Sequence, residues 1–401
     1  MNLRIALVTF NFDPSKPGGV TNVSKNILET LAKSMSAKTE IISFSNSRLN
    51  PESIAILKPK SYKNIRSKDG GIFLESQITR VGCIGSELEI MRYRKRKELG
   101  SFFEAFDLII IVTGVLQFPN VVPRTKVPII IQCATRLTWE RKSQYLSMSR
   151  VKKLMLKFQI PILAIQEKRV LNLGAIFLVE NMRMSKWVEL KTRATPVLWY
   201  PGVRTSESLN SLQYQVPKNR HYISVGRFDD PRKGWDRLFV AYKLAFERDK
   251  SLPDLVVIGV GNFSIENKLL LEEIISNCPI KILGNIDNLE RDKKLQTADY
   301  FLQTSYEEGL GLAALEALSF GVPLICSDTD GSREYLVHGK NGILVPQGDN
   351  FIDNFKEAIL ISQKSDHHTL SKNARDQFKL RFSNEISETQ LLGIIRKATS
   401  K

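Results

Sequence analysis

Asp107 to Thr113 reads Asp-Leu-Ile-Ile-Ile-Val-Thr. Five apolar residues in a row, most of them β-branched, leave no polar face to turn toward water. Such a run suits a strand covered on both sides, and strands covered on both sides belong to parallel sheets flanked by helices. Val127 to Gln132 repeats the pattern, and Ala175 to Val179 repeats it in shorter form. The chain also opens on an apolar run, Leu3 to Phe10, followed by Asn11 to Gly19 and a helical spacing at Val20, Val23, Ile27, Leu28 and Leu31. That is strand, Gly-containing loop and helix. Thr39 to Phe44 reads as a further strand.

A stretch rich in Pro, Gly, Ser and Asn, from Tyr200-Pro201-Gly202 to Pro217-Lys218-Asn219, reads as a linker. Beyond it the alternation resumes. Strands are expected at Tyr222–Val225, Leu255–Gly259, Ile280–Leu283, Tyr300–Gln303, Pro323–Ser327 and Gly342–Val345, with helices such as Trp235–Glu247 and Leu312–Leu318 between them. Two separate series of this kind predict an α/β chain with two Rossmann-like parallel sheets, their ligands outside the carboxyl ends of the strands and a cleft between the facing domains. The expected divisions are 1–199, 200–381, and a helix over 382–401 that crosses back to the first domain. At 401 residues the chain is long enough for both domains.

Charge separates the halves. Of 58 Lys and Arg, 32 lie in residues 1–200 against 15 Asp and Glu, while residues 201–401 hold 26 against 27. The whole excess of +16 therefore sits in the first half and points to an anionic partner there. Two stretches concentrate it. Arg92-Tyr93-Arg94-Lys95-Arg96-Lys97 is flanked by Leu88, Met91, Leu99, Phe102 and Phe103, and Ser149 to Phe158 mixes cations with large apolar residues. Each reads either as a basic helix lying on an anionic membrane or as a solvated helix packed on its sheet. No nucleic-acid fold motif accompanies the charge, so nucleic acid is not the expected partner.

Chemistry concentrates in the second half. Glu307-Glu308-Gly309-Leu310-Gly311-Leu312 leads from an expected strand into a helix that carries Glu316 among apolar neighbours. Gly309 and Gly311 let a ligand approach the backbone, the helix start offers N–H groups to an anion, and an ionised carboxylate accepts from sugar or ribose hydroxyls. An acidic turn that merely complements the helix dipole would look the same. Val225-Gly226-Arg227-Phe228-Asp229-Asp230-Pro231-Arg232-Lys233-Gly234 makes a second strand-to-helix junction. There Arg227 and Lys233 form either a phosphate clamp or a solvated basic loop. Gly259-Val260-Gly261 lacks a full dinucleotide fingerprint, and His367-His368 lacks metal-ligand companions. Cys83, Cys133, Cys278 and Cys326 are spaced as reduced thiols of a cytosolic protein.

Taken in order, Gly18-Gly19, Gly226-Arg227 with Lys233-Gly234, and Glu308-Gly309-x-Gly311 with Glu316 resemble the retaining nucleotide-sugar glycosyltransferases of family 4, which have the GT-B fold. Pro201-Gly202-Val203 and Asn341-Gly342-Ile343-Leu344-Val345 are similar to that family's linking turn and late strand. The loop from Arg227 to Lys233 resembles that of bacterial phosphatidylinositol mannosyltransferases. The likeness is dense over about 200–350 and loose before it.

The resemblance implies a hexosyltransferase-type enzyme that moves a sugar from a nucleotide diphosphate-sugar to a hydroxyl acceptor, a glycan or lipid-linked molecule of envelope or surface polysaccharide synthesis. It implies that Arg227 and Lys233 hold the diphosphate, Glu308 and the backbone near Gly309, Gly311 and Leu312 meet the sugar and phosphate, and Glu316 accepts from the ribose. Leu283 would lie at the base, with Gly18 and Gly19 reaching the phosphate from the first domain. By the same likeness no metal or other cofactor is required, and the enzyme is cytoplasmic or peripheral on the inner face of the membrane. The family's N-domain His is missing: residues 1–200 contain none. Its place falls near Gln132, Thr135 and Arg136. A nucleotide-sugar epimerase and an inactive partner protein of the same fold are the alternatives.

Overall fold

The structure, a computed structural model, describes residues 3–400 apart from positions 17, 36, 48–49, 57, 64–66, 141–147, 149, 193 and 204–219. The greater part of the expected linker therefore lies outside the described residues. The chain divides into two units, one of Met1–Gly202 with Ser387–Lys401 and one of Val203–Ile386.

The first unit contains β1 (Leu3–Phe10), α1 (Gly19–Ser34), β2 (Ala37–Ser45), β3 (Ser67–Phe73), β4 (Ser76–Gly82), β5 (Leu108–Val115), β6 (Ile129–Thr135), α2 (Arg150–Leu171), β7 (Ile176–Val179), α3 (Met182–Lys191) and β8 (Val197–Leu198). They form one sheet in the order β3-β4-β2-β1-β5-β6-β7-β8. Every pairing is parallel except β3 with β4. The run that announced a doubly covered strand is β5, buried at Leu108 to Thr113 without interruption. Its Ile109 and Ile111 join Ile131, Phe118 and Phe177 in a single core on one face of the sheet.

The β3–β4 hairpin was not expected. Its turn is Leu74-Glu75, both at positive φ (47° and 62°), a conformation that Asn or Gly ordinarily signals.

Arg92 to Lys97 corrects an expectation. A helical turn ends at Arg92, the Tyr93 and Arg94 N–H groups close it on Glu89 and Met91, and beyond them the chain bonds elsewhere. The Arg96 N–H donates to the Val121 carbonyl (3.0 Å), and Asn120 Nδ2 donates to the Tyr93 carbonyl (2.6 Å). Tyr93 and Arg96 are buried. Arg96 donates through Nη1 to the Gly82 carbonyl (2.8 Å) and through Nε to Glu98 (2.7 Å). The second basic stretch is helical, from Arg150 onward.

The second unit contains β9 (His221–Val225), α4 (Trp235–Arg248), β10 (Asp254–Ile258), α5 (Ile265–Ile275), β11 (Ile280–Gly284), α6 (Asn288–Gln296), β12 (Tyr300–Gln303), α7 (Leu312–Ser319), β13 (Leu324–Ser327), β14 (Gly342–Val345), α8 (Phe351–Ser362) and α9 (His367–Arg381). Its all-parallel sheet runs β11-β10-β9-β12-β13-β14. The order reverses between β9 and β12, and a doubly wound sheet opens its ligand crevice at that switch, outside the carboxyl ends. The last helix, α10 (Asn384–Thr399), passes into the first unit at Ser387. There the Ser387 carbonyl accepts from Trp199 Nε1 (3.1 Å) and its hydroxyl accepts from the Gly202 N–H (3.0 Å).

Candidate functional site

The loops leaving β9 and β12 meet at the switch point. Gly234 starts α4 at φ 63°, and a Cβ there would stand 2.5 Å from the Thr304 carbonyl. Glycine is therefore required twice over, by conformation and by contact. The contact is used: Thr304 Oγ1 donates to the Gly234 carbonyl (2.8 Å), and the Tyr306 N–H donates to the Arg232 carbonyl (2.7 Å). One strand away, a Cβ on Gly259 would fall 1.9 Å from the Gly226 carbonyl. The strand ends join there, Gly226 N–H to Ile258 and Gly259 N–H to Gly284, each 3.0 Å.

Two charge clusters result. Lys233 Nζ lies 2.6 Å from Glu308 Oε1, which also accepts from Ser305 Oγ (2.7 Å). Burial alone would raise the Glu308 carboxyl, but Lys233 and Ser305 outweigh it and hold the group below its ordinary value. The second cluster centres on Asp230, which is buried. Arg227 Nη2 donates to it (2.7 Å), and Arg232 donates through Nε (2.9 Å), Nη2 (2.7 Å) and its backbone N–H (3.1 Å). Burial works against the charge here too, and the two guanidiniums hold the carboxyl far below the usual carboxylate range. The Arg227 side chain stays 51% exposed, so part of its fork faces outward.

Gly311 starts α7 at φ 94° with no side chain capping the helix. A Cβ there would lie 2.7 Å from the Tyr335 hydroxyl. That hydroxyl is buried with no hydrogen-bond partner among the described residues, which leaves a donor beside the free start of a helix, an arrangement suited to an anion or a sugar oxygen. The loop of Glu308 and Gly309 meets the chain again at Gly331, whose N–H donates to the Glu308 carbonyl (3.0 Å) and which lies against the Leu310 backbone. Leu312 opens the helix and Glu316 lies within it, buried, with Arg291 Nη2 at 3.6 Å. Burial pushes the Glu316 carboxyl up, and Arg291 offsets part of that.

Arg227, Lys233, Glu308, Gly309, Gly311 and Leu312 thus gather at the β9 and β12 ends. Glu316 stands one helical turn further, and Leu283 is the last residue but one of β11, on the same sheet edge. Gly18 and Gly19 belong to the other unit, at the start of α1 after β1, and a Cβ on Gly19 would meet nothing within 4 Å. Asp230, Ser305, Arg291 and Tyr335 were not singled out from the sequence. Asp230 alone left a trace there, inside a loop already marked.

In the first unit, Gln132 near the end of β6 is buried and donates through Nε2 to Glu180 Oε1 (2.6 Å). Arg136 donates to both oxygens of Glu167 (2.7 and 3.2 Å), and Gln117 donates to the same carboxylate (2.9 Å). Arg136 also stacks on Trp187, its Cζ 3.9 Å from the ring centre. Burial pushes the Glu180 carboxyl up to about 7. A folded-state value raised above the unfolded one favours the fold fully below about pH 4.5, and this is lost as pH rises through about 7. The loss is about 3 kcal/mol at full ionisation. Glu180→Gln removes the titration, so chemical denaturation should show its stability advantage over the parent growing between pH 5 and 8. A constant difference over that range would refute the assignment.

Among the described residues no cluster of three or more His, Cys, Asp or Glu is arranged to hold a metal ion.

Comparison with known proteins agrees with the motif reading. Residues 213–377 match the family described as glycosyl transferases group 1. Phosphatidyl-myo-inositol mannosyltransferase of Mycobacterium leprae is 31% identical over 129 residues, 32% of this chain and 33% of that protein. The matched stretch therefore spans about a third of the curated relative. Sucrose-phosphate synthase from Thermosynechococcus elongatus superposes over 100% of both chains with a TM-score of 0.68 at 18% identity. Anabaena HepE, solved in complex with UDP-glucose, superposes over 98% of this chain and 99% of its own with a TM-score of 0.62 at 17% identity. The fold is GT-B, with one Rossmann-like parallel sheet in each unit, as the motifs implied.

Proposed function

We propose that this chain, a member of the glycosyl transferases group 1 family through residues 213–377, moves a sugar from a nucleotide diphosphate-sugar to a hydroxyl acceptor with retention of configuration. The observation that carries this reading is the pairing of Lys233 with Glu308 beside the uncapped start of α7, at the switch point of the second sheet. The nucleotide sugar bound to HepE and the mannosyl transfer in the name of the mycobacterial relative support it.

The chemistry follows from charge. As the bond between sugar and phosphate breaks, negative charge grows on the departing diphosphate. Arg227, Lys233 and the N–H groups at the start of α7 are fixed cations and dipoles for that charge, and such groups need no reorganisation when the charge appears. Glu308, ionised beside Lys233, accepts from donor-sugar hydroxyls, while Glu316 accepts from the ribose and Leu283 flanks the base. Gly18 and Gly19, at the start of α1, offer backbone N–H groups suited to an anion. With the two cations taking the charge, the reaction needs no divalent metal. The acceptor, a glycan or a lipid-linked hydroxyl, belongs to the first unit, where Gln132 with Glu180 stands in place of the family's histidine.

A thermal-shift panel of UDP-, GDP- and ADP-sugars in the presence of EDTA tests the donor site. A ligand that binds only the folded state at a hundred times its Kd adds about 2.7 kcal/mol. At least one donor should raise the melting temperature by several degrees, and Glu316→Ala should abolish most of that rise. A flat response across the panel would sink the reading.

A further inference from the structure

Helix α2 buries the wrong amount of itself. Val151, Leu154, Met155, Phe158, Ile162 and Ile165 are all exposed, Phe158 by 74% and Val151 by 69%. At 3.6 residues per turn they fall on one stripe about 100° wide. The helix already has its inward face, where Gln159, Leu163, Gln166 and Val170 are buried. The stripe is thus a second apolar face, and one helix rarely leaves six large side chains in water without a use for them. Arg150, Lys153 and Lys157 line its outer flank, away from the buried side.

At its far end the stripe runs into charge. Ile165 lines a cavity of about 1200 Å³ together with Arg94, Lys95, Lys97, Arg124, Lys168 and Arg169. The one acidic residue of that lining, Glu98, is already paired with Arg96. Arg124 stands before β6, and Lys168 and Arg169 close α2 before β7. Ile84 follows the carboxyl end of β4 and Arg96 donates to Gly82 there, so the cavity runs along a face of the first sheet from the end of β4 to the start of β6. It is the stretch misread as a helix, Arg92 to Lys97, that supplies half of these cations.

We propose that α2 and this cationic cavity form one docking face for an anionic lipid bilayer, the stripe entering the acyl boundary and the cavity receiving phosphate-bearing headgroups. Charge complementarity selects the occupant. A nucleic acid would satisfy the cations and leave the stripe in water. A second copy of the chain would cover the stripe but set the same cations against each other. An anionic bilayer alone meets both surfaces at once. The proposal does not rest on sugar transfer, and its test needs no donor.

Co-sedimentation of the full chain with vesicles of phosphatidylcholine, and of phosphatidylcholine with phosphatidylglycerol at roughly three to one, should show binding to the second at least about tenfold stronger, weakening as salt rises. Leu154→Ser with Phe158→Ser should abolish it. Arg124→Gln with Lys168→Gln and Arg169→Gln should weaken it about a hundredfold. Both sets lie on the surface, and unchanged melting temperatures check that they fold. Phe158→Trp should blue-shift its fluorescence on anionic vesicles only. Equal binding to both vesicles, binding to neither, or binding unchanged in both variants would overturn the proposal. So would self-association that Phe158→Ser dissolves, or capture of RNA without vesicles.

Discussion

Lys233→Ala should lower kcat/KM for sugar transfer about a thousandfold, the size seen when one preorganised charge is removed from a developing anion. The same change removes the partner of Glu308, whose side chain is only 11% exposed. A buried carboxylate left without its cation costs about 3–5 kcal/mol, or takes up a proton instead. Activity lost in the single variant therefore mixes two causes, and a second variant separates them. Lys233→Ala with Glu308→Gln carries no orphaned charge and keeps a hydrogen-bonding group opposite Ser305 Oγ. It should recover most of the lost stability in a denaturant melt while turnover stays well below that of Glu308→Gln alone, which measures the loss of the sugar-binding carboxylate. Recovery of turnover along with stability would mean that Lys233 serves the fold and not the reaction. So would a single variant within about tenfold of the parent.

The parts legible in the sequence are those whose signal is local. A short, β-branched apolar run such as Leu108 to Val112 suits a doubly covered strand, and β5 is one. Gly234 and Gly311 stand where positive φ makes glycine necessary, so the loops they end announced themselves. Arg227, Lys233, Glu308 and Glu316 were visible because charge at a strand-to-helix junction has few other uses. What stayed hidden depends on partners far away in the chain. The β3–β4 turn puts Leu74 and Glu75 at positive φ without the residues that advertise it. Ser305 matters only through Glu308, Arg291 through Glu316, and Tyr335 through its approach to Gly311. The cations of Arg92 to Lys97 suggested a helical face, but their backbone is held by Asn120 and Val121, which no periodicity could show. Read as charge alone, the excess in the first half named no partner. Placed in the fold, part of it lines one cavity and part flanks one helix.

Asp230→Ala tests a residue that lay inside a marked loop without being singled out. Its carboxylate binds both Arg227 and Arg232 and caps the short turn at Pro231–Lys233. By charge alone, its removal should favour an anionic ligand, since two guanidiniums lose their counter-ion. By orientation, it should harm transfer, since Arg227 is half exposed and Asp230 is what holds its fork in place. The two effects act on different quantities. Affinity for the free nucleoside diphosphate should stay within about fivefold of the parent, because net charge dominates ground-state binding. Turnover should fall about a hundredfold, because only a fixed guanidinium stabilises the charge of the transition state without reorganising. Asp230→Asn supplies the control: it can keep the cap on the Arg232 N–H, worth about 1 kcal/mol, but not the ion pair. It should therefore melt between the parent and the alanine variant, since the pairing that lowers the Asp230 carboxyl is gone, and turn over like the alanine variant. An equal loss of affinity and turnover would make Asp230 a binding element only, and unimpaired turnover would show that Arg227 needs no holding.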